Sequence, residues 1–298
     1  MHATTTAAAP VPRGWRPALA LVFNALVWGV SWYPFRLLHE AGLHPLWSTV
    51  LIYGLAVALI GVLRPAAWRE LFAHPALWLI LLAAGTTNAT FNWGVTVGDV
   101  VRVVLLFYLM PLWAVLLARL VLKERLGRGA LLRAALALGG ALIVLRPAGG
   151  GLPLPSSLTD LLGLAGGFSF ALNNVMLRRE AARSESGRAL AMFLGGALVS
   201  AGLALALGAG HGVPLPPAPA TGWLLGIVLM GGFFLLSNLA LQYGAARLPA
   251  HATAVIMLTE VVFASASAVA LGAGAITPAL ALGGSLIVLA AALAALKP

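Results

Sequence analysis

Long apolar stretches alternate with short charged or proline-rich segments along the whole chain. A helix that crosses the hydrocarbon core of a bilayer needs about 20 predominantly apolar residues, and these stretches have about that length. Many begin at or just before a proline, which suits the first turn of a helix because its missing N–H would be unpaired there anyway. The pattern predicts an all-α integral membrane protein with ten transmembrane helices, at residues 17–38, 45–63, 75–96, 100–121, 128–146, 159–178, 188–208, 221–244, 249–271 and 278–296.

The composition supports the membrane assignment. Of the 298 residues, 61% are apolar and only 9% are charged, and the mean hydropathy is +0.99. Soluble domains have about 45–50% apolar and about 25% charged residues, so a water-soluble enzyme, a disordered protein and a large extramembrane domain are excluded. The absence of cysteine excludes disulfides, thiolate metal sites and cysteine nucleophiles.

The basic residues predict the orientation in the membrane. The net charge is +10, but the Lys and Arg residues are spread over many short loops, which argues against nucleic-acid binding. Fourteen of them fall on one side of the ten spans and three on the other. Because cytoplasmic loops carry the basic excess, we expect a bacterial-type inner (plasma) membrane protein with both termini cytoplasmic. Residues 1–16 then form a cytoplasmic tail, and Asn24 and Pro34 favour a retained first helix over a cleaved signal peptide.

The two halves of the chain resemble each other. Residues 136–145 read LALGGALIVL and residues 280–289 read LALGGSLIVL, with nine of ten positions identical. A set of polar and aromatic positions further upstream aligns at a constant offset of 150: Asn88, Asn92, Trp93 and Gly94 with Asn238, Gln242, Tyr243 and Gly244. A weaker match pairs Trp28–Gly29 with Phe170–Ala171 and Ser31–Trp32 with Asn173–Asn174.

This repeat predicts two five-helix units, residues 17–146 and 159–298, joined by a connecting loop at 147–158. Because each unit has an odd number of spans, the second one inserts in the opposite orientation. Inverted-topology repeats of this kind are typical of secondary transporters, whose substrate sites lie near the bilayer midplane between the repeats.

Three motifs carry a resemblance to a known family: VWGVSW at residues 27–32, Pro111 followed by LKERL at 122–126, and TEVV at 259–262. In this order the chain resembles the EamA-type, ten-helix members of the drug/metabolite transporter superfamily, and is most similar to the YddG-type exporters of aromatic amino acids. The resemblance implies export of amino acids or related metabolites. The chain departs from the family pattern at Val261, which replaces a proline, so a kink in the ninth span lacks its usual cause.

Polar side chains within the spans are the first candidates for a substrate site, because such groups are costly in lipid and tend to face a partner or a cavity. Asn88 and Asn92 lie four residues apart and therefore on one helical face, and Asn238 and Gln242 repeat that face in the other half. These amides are predicted to orient the polar end of a substrate. The alternative is that they only form hydrogen bonds between helices.

Glu260 is an acidic residue near the centre of the ninth span, where it is predicted to carry a proton or to balance the charge of a substrate. The alternative is a structural carboxylate bonded to neighbouring hydroxyls or amides. Aromatic and amide residues close to these polar positions are predicted to line the substrate pocket, although packing and interfacial anchoring are common roles for aromatic side chains. This set consists of Trp28, Trp32, Tyr108, Phe168, Asn173 and Tyr243.

Four further residues are candidates for hinges or gates. Pro34 and Pro111 lie inside predicted spans, where a proline kinks or breaks a helix. Arg102 and His251 lie on or beside the connections between spans 3 and 4 and between spans 8 and 9. The alternative for these two is an ordinary solvated helix end.

The sequence contains no phosphate-binding loop, no HExxH and no GxSxG motif. It therefore predicts a secondary transporter rather than an enzyme, with no cofactor and no metal. The expected partners are a small-molecule substrate and the lipid bilayer, with no nucleic acid. Alternatives are an exporter of threonine-like amino acids, purines or cationic drugs and, from another class, a membrane-embedded enzyme or scaffold.

Overall fold

The computed structural model describes residues 15–97, 100–124, 127–144, 155, 157–272 and 276–296. In these residues the protein is helical, with no β-strand and one 3-10 turn at Ala209–His211. The α-helices are α1 (Trp15–Glu40), α2 (Pro45–Leu63), α3 (Ala66–Ala73), α4 (Pro75–Val97), α5 (Val100–Phe107), α6 (Met110–Val121), α7 (Arg128–Val144), α8 (Leu158–Arg179), α9 (Glu185–Leu207), α10 (Thr221–Arg247), α11 (Ala250–Met257), α12 (Thr259–Ala270) and α13 (Pro278–Leu296).

These helices follow the predicted apolar stretches, each of which coincides with one helix or with two consecutive helices. Seven segments of the described chain are long and apolar enough to cross a membrane, with α11 and α12 counted together. The pair α3–α4, which is bent by 99°, raises the number to eight. The protein is thus a multi-pass helical membrane protein, and the ten-span topology stays a prediction.

Helix α3 is an element that the hydropathy pattern did not predict. It is a short amphipathic helix between α2 and α4, and Glu70 on it reaches the start of α9. The Glu70 carboxylate accepts hydrogen bonds from the backbone N–H and the hydroxyl of Ser184. This contact holds α3 against the end of the helix bundle.

Two predicted spans are broken at equivalent places in the chain. The fourth span breaks at Tyr108 and Leu109, and Pro111 lies in the first turn of the helix that follows, as expected of a proline. The ninth span breaks at Leu258, 150 residues after Tyr108, although Val261 stands at the position that the same offset pairs with Pro111. In contrast, α1 continues through Pro34 as one helix, so the break predicted as possible at that residue is absent.

Close helix packing builds the core and leaves space along the axis between the halves. Helix α4 packs on α8 and α9, α1 packs on α10 and α12, and α7 packs on α13. At the α7–α13 crossing, a Cβ added to Gly140 would lie 2.5 Å from the carbonyl oxygen of Gly283, and a Cβ on Gly283 would meet that of Gly140 in turn. Only glycine permits backbones to approach so closely.

Candidate functional site

Two adjoining cavities lie among the described residues between the two halves of the chain, and they are open in part to the solvent. Both are narrow, with room for a few water molecules rather than for a larger solute. Trp28, Thr87, Asn88 and Phe170 line both of them. The first cavity is also lined by Asn24, Tyr53, Ala84, Asn173, Met192, Phe193, Phe234, Asn238 and Leu241, and the second by Phe91, Phe107, Met257 and Glu260.

Residues that the repeat pairs with each other converge on these cavities. Trp28 and Phe170 are aligned in the sequence, and both line both cavities. Asn88 and Asn238 are likewise aligned, and both line the first cavity. Aromatic faces and amide groups from the two halves therefore surround the same space.

In the first half, the amides of α4 bond to hydroxyl groups of α2. The Tyr53 hydroxyl donates to Asn88 Oδ1 at 2.8 Å, and Asn88 Nδ2 donates to the carbonyl of Ala84 at 2.8 Å. One turn further along, Asn92 Nδ2 donates to the Thr49 hydroxyl at 2.7 Å. The groups that take part in these three contacts are uncharged.

In the second half, the amides of α10 bond to α9 in the same pattern but to different chemical groups. Gln242 Nε2 donates to Asn238 Oδ1 at 2.6 Å, and Asn238 Nδ2 lies 3.3 Å from the sulfur of Met192. Arg188, which is only 1% exposed, donates from Nε to Gln242 Oε1 at 3.1 Å. This face therefore ends on a buried cation.

Glu260 lies at the wall of the second cavity, two residues after the break at Leu258. Its carboxylate is hydrogen-bonded to the hydroxyl of Tyr108, which lies at the equivalent break in the first half. The two broken helices thus meet through one acidic and one phenolic side chain. Around them lie Phe107 and Met257, which keep this part of the site apolar.

The structure brings together four of the predicted pocket residues and Glu260, which was predicted to balance charge, and places other predicted residues behind them. Trp28, Asn88, Asn173, Asn238 and Glu260 line the cavities. Gln242 and Tyr108 bond to this lining from behind. Asn92 bonds to Thr49, which lines neither cavity.

Three predicted pocket residues lie outside both cavities, and their role in substrate binding stays a prediction. Phe168 is 39% exposed and packs edge-on against Trp113, because residues two apart on a helix, such as Phe168 and Phe170, face nearly opposite directions. Trp32 donates from its indole nitrogen to Ser267 of α12 at 2.9 Å. The ring of Tyr243 lies under the guanidinium of Arg247, 3.9 Å from its centre.

The gate candidates differ in what the structure shows. His251 is buried at the start of α11, with Nδ1 3.5 Å from the Glu124 carboxylate just beyond α6, so the two side chains lie side by side at one end of the bundle. Arg102 lies in α5, and its side chain is outside the described residues. Within the described part of the chain, no group of three or more His, Asp or Glu side chains is arranged to hold a metal ion.

Several residues of the site were not predicted. Asn24 lines the first cavity and donates from Nδ2 to the carbonyl and the hydroxyl of Ser237, at 2.9 and 2.6 Å. Tyr53 and Phe234 complete the lining. Asn24 could have been predicted, because an amide within an apolar span indicates a partner or a cavity. Arg188 lies at the edge of a predicted span, where the sequence indicated a loop residue.

Comparisons with known proteins agree with this description. The model of the EamA-like transporter family matches residues 15–146. The chain is 34% identical over 111 residues to the uncharacterized transporter PA0485 of Pseudomonas aeruginosa, a match that covers 34% of this chain and 36% of that protein, about a third of its length. The fold is similar to that of a protein whose crystal structure has been solved. The TM-score is 0.74 at 21% sequence identity, and the match covers 93% of this chain and 96% of that one. Residues 15–146 are therefore similar to the EamA-like transporter family, and the helical fold of the chain is similar to a known one.

Proposed function

We propose that the protein is a secondary transporter that moves amino acids, with aromatic amino acids favoured, out of the cell across the inner membrane. Transport proceeds by alternating access around the space between two inverted five-helix units, with both termini in the cytoplasm. The observation that carries this proposal is that the repeat-related pairs Trp28 with Phe170 and Asn88 with Asn238 face one internal space. A site between two similar halves is what an alternating-access transporter requires.

The chemistry of the lining supports an aromatic amino acid as the substrate. The rings of Trp28 and Phe170 offer apolar faces, and Asn88, Asn238 and Glu260 offer hydrogen-bonding and acidic groups within the same space. Ligand sites of this kind are mostly apolar, with a few polar groups that fix orientation. The narrowness of the cavities implies that the lining side chains must separate before a substrate enters.

The experiment that tests the function is substrate counterflow in sealed liposomes. Proteoliposomes are loaded in turn with unlabelled phenylalanine, tryptophan, threonine or adenine, and the same labelled solute is added outside. Accumulation with phenylalanine and tryptophan, but not with threonine, is the expected result. Accumulation only with threonine or adenine would assign a different substrate, and no accumulation by the folded protein with any of the four would contradict the aromatic assignment.

A pair of variants connects transport to the cavity. Trp28→Leu removes a ring from the lining, and we expect it to slow counterflow of phenylalanine at least tenfold, since aromatic contacts provide much of the apolar surface in such a pocket. Phe168→Leu removes a ring that lies outside both cavities, and we expect the wild-type rate. Equal losses in both variants would argue against this cavity as the substrate site.

A further inference from the structure

Arg188 is a buried cation in the first turn of α9, where the helix dipole disfavours positive charge. The N-terminus of α9 is already capped, because the Ser184 hydroxyl accepts from the N–H of Gly187 at 2.9 Å. The carboxylates of Glu185, Glu70 and Glu180 interact with the guanidinium and offset part of the cost of burying its charge. The hydrogen bonds of the guanidinium show what else this arginine does.

The Nη1 nitrogen of Arg188 has a structural role, and its Nε nitrogen makes a contact that this role does not require. Its Nη1 donates to the carbonyls of Glu180 and Arg183, at 2.9 and 3.1 Å, which satisfies the chain just beyond the end of α8. Its Nε points the other way, to Gln242 of α10. Capping α8 does not require this second contact.

The second contact fixes the direction of a chain of hydrogen bonds. Arginine has donors and no acceptor, so Gln242 must turn its oxygen toward Arg188 and its Nε2 toward Asn238. Asn238 must then turn its Oδ1 toward Gln242, which leaves its Nδ2 beside the weakly accepting sulfur of Met192 and the first cavity. The guanidinium thereby sets an asparagine amide as a hydrogen-bond donor to the cavity.

The equivalent face of the first half is directed differently, because the Ala84 carbonyl, which only accepts, turns the oxygen of Asn88 toward the Tyr53 hydroxyl. Asn92 bonds to the hydroxyl of Thr49, and a hydroxyl both donates and accepts. Asn88 accepts from Tyr53 with its oxygen and donates to a backbone carbonyl with its nitrogen. A fixed donor backed by a buried positive charge therefore belongs to the second half alone among these described contacts.

We infer that Arg188 is a positioning residue that acts through Gln242 to hold the Asn238 amide as a donor, and that this end of the cavity binds the carboxylate of the substrate. The inference rests on the proposed transport function and adds a polarity to the site. The carboxylate of the substrate lies toward Asn238. The part of the substrate that is farthest from the carboxylate extends toward Glu260 in the second cavity. Analogues without the carboxylate, such as phenylalaninamide, are then poor substrates.

Gln242→Glu tests this inference with almost no change in shape. A carboxylate at this position still accepts from Arg188 but cannot donate to Asn238, so the Asn238 amide must turn over and present its oxygen to the cavity. The quantities to be measured are binding in detergent and counterflow in liposomes, each for phenylalanine and for phenylalaninamide. The preference for phenylalanine is expected to fall about tenfold or more, since a hydrogen bond to a charged group is exchanged for a repulsive contact.

Two arginine variants complete the test. Arg188→Lys keeps a donor and a charge, so it is expected to retain the preference for phenylalanine, whereas Arg188→Gln loses it. Arg178→Gln is the matched control, because Arg178 donates to the carbonyl of Ala246 and has no contact with the amide chain in the described residues. It is expected to leave the preference unchanged.

The outcomes separate this inference from the proposed function. If the wild type transports phenylalanine and folded Gln242→Glu keeps the full preference over phenylalaninamide, the assigned role of Arg188 is wrong and the transport proposal stands. The same conclusion follows if Arg178→Gln changes the preference as much as Arg188→Gln does. If the wild type neither binds nor transports either compound, both proposals fail together.

Discussion

Two interfaces between the halves, α4 with α9 and α10 with α2, are counterparts under the predicted repeat, yet they are packed differently. A Cβ added to Gly85 of α4 would lie 2.5 Å from the carbonyl oxygen of Gly195 on α9, and one added to Gly195 would collide with the backbone of Leu81. In the other interface, a Cβ on Gly231 of α10 would lie 3.7 Å from the carbonyl oxygen of Ile52 and would touch only a side chain more closely. The backbones of α4 and α9 are in direct contact, whereas those of α10 and α2 leave more room for an added methyl group.

This difference shows how two similar halves produce an asymmetric structure. If the halves were packed identically, the space between them would open equally to both sides of the membrane. A transporter that exposes its site alternately must exchange the two packings, so that the tight interface loosens while the loose one closes. We expect the α4–α9 and α10–α2 interfaces to change places during transport.

The largest expected effect comes from adding one methyl group to each interface. Gly195→Ala forces backbone movement between α4 and α9, and we expect it to destabilise the folded protein by about 1–3 kcal/mol, as overpacking does in other cores. Gly231→Ala meets a movable leucine side chain and is expected to cost less than about 0.5 kcal/mol. Melting curves in detergent measure both effects.

Gly202→Ala is the control, because nothing lies within 4 Å of its added Cβ. It reports the intrinsic effect of alanine in α9 and should slightly stabilise the helix. Equal destabilisation by Gly195→Ala and Gly231→Ala, after subtraction of this control, would remove the basis of the comparison.

A smaller effect is expected from the hydroxyl that holds the first-half amide. Tyr53→Phe removes the donor to Asn88, and we expect a loss of about 0.5–1.5 kcal/mol in stability. The preference between phenylalanine and phenylalaninamide should not change, because Asn88 Nδ2 still donates to the Ala84 carbonyl, which keeps the direction of this amide. Tyr33→Phe, at an exposed position, is the matched control. A changed preference in Tyr53→Phe would show that both halves set the polarity of the site.

The smallest effect concerns the first residues of the counterpart helices α2 and α9. His44 caps α2 through Nδ1, which accepts from the N–H of Leu46 at 3.2 Å, whereas α9 is capped by Ser184. Burial, with a contribution from His39, lowers the pKa of His44 to about 4. Because the unfolded chain binds this proton more readily, stability should fall as the pH decreases from about 6.5 to about 4.

The measurement is the melting temperature in detergent across this pH range. His44→Ser keeps a capping oxygen and removes the titrating group, so it should show a weaker pH dependence than the wild type. Identical pH profiles for the two proteins would mean that the His44 cap does not contribute to acid sensitivity.

Helix positions were predictable from the sequence because they depend on local composition. The bounds of α2 and α13 coincide with the predicted spans, since Pro45 and Pro278 mark their starts. Helix α3 was not predicted, because its charged residues interrupt the apolar pattern. The break at Leu258 was not predicted either, since it occurs without a local proline.

The site was predictable only as far as polarity in a span is a signal. Asn88, Asn238 and Glu260 stood out because such residues are rare in apolar helices. The burial of Arg188 depends on Gln242, which lies 54 residues away in the chain. Phe168 and Phe170 are equally aromatic, and only the packing of α8 decides that Phe170 lines the cavities.

The central claim is that the space between the halves opens to water and binds the transported substrate. The chain contains no cysteine, so Ala84→Cys places a single thiol in the lining of the first cavity. Ala134→Cys in α7 provides a thiol that is equally buried but outside the cavities. The measurement is the rate of maleimide labelling in proteoliposomes, with and without phenylalanine. We predict that the thiol at position 84 is labelled, that phenylalanine slows this labelling, and that the thiol at position 134 stays unreactive. Equal labelling at both positions, or labelling at position 84 that no transported solute slows, would contradict the account.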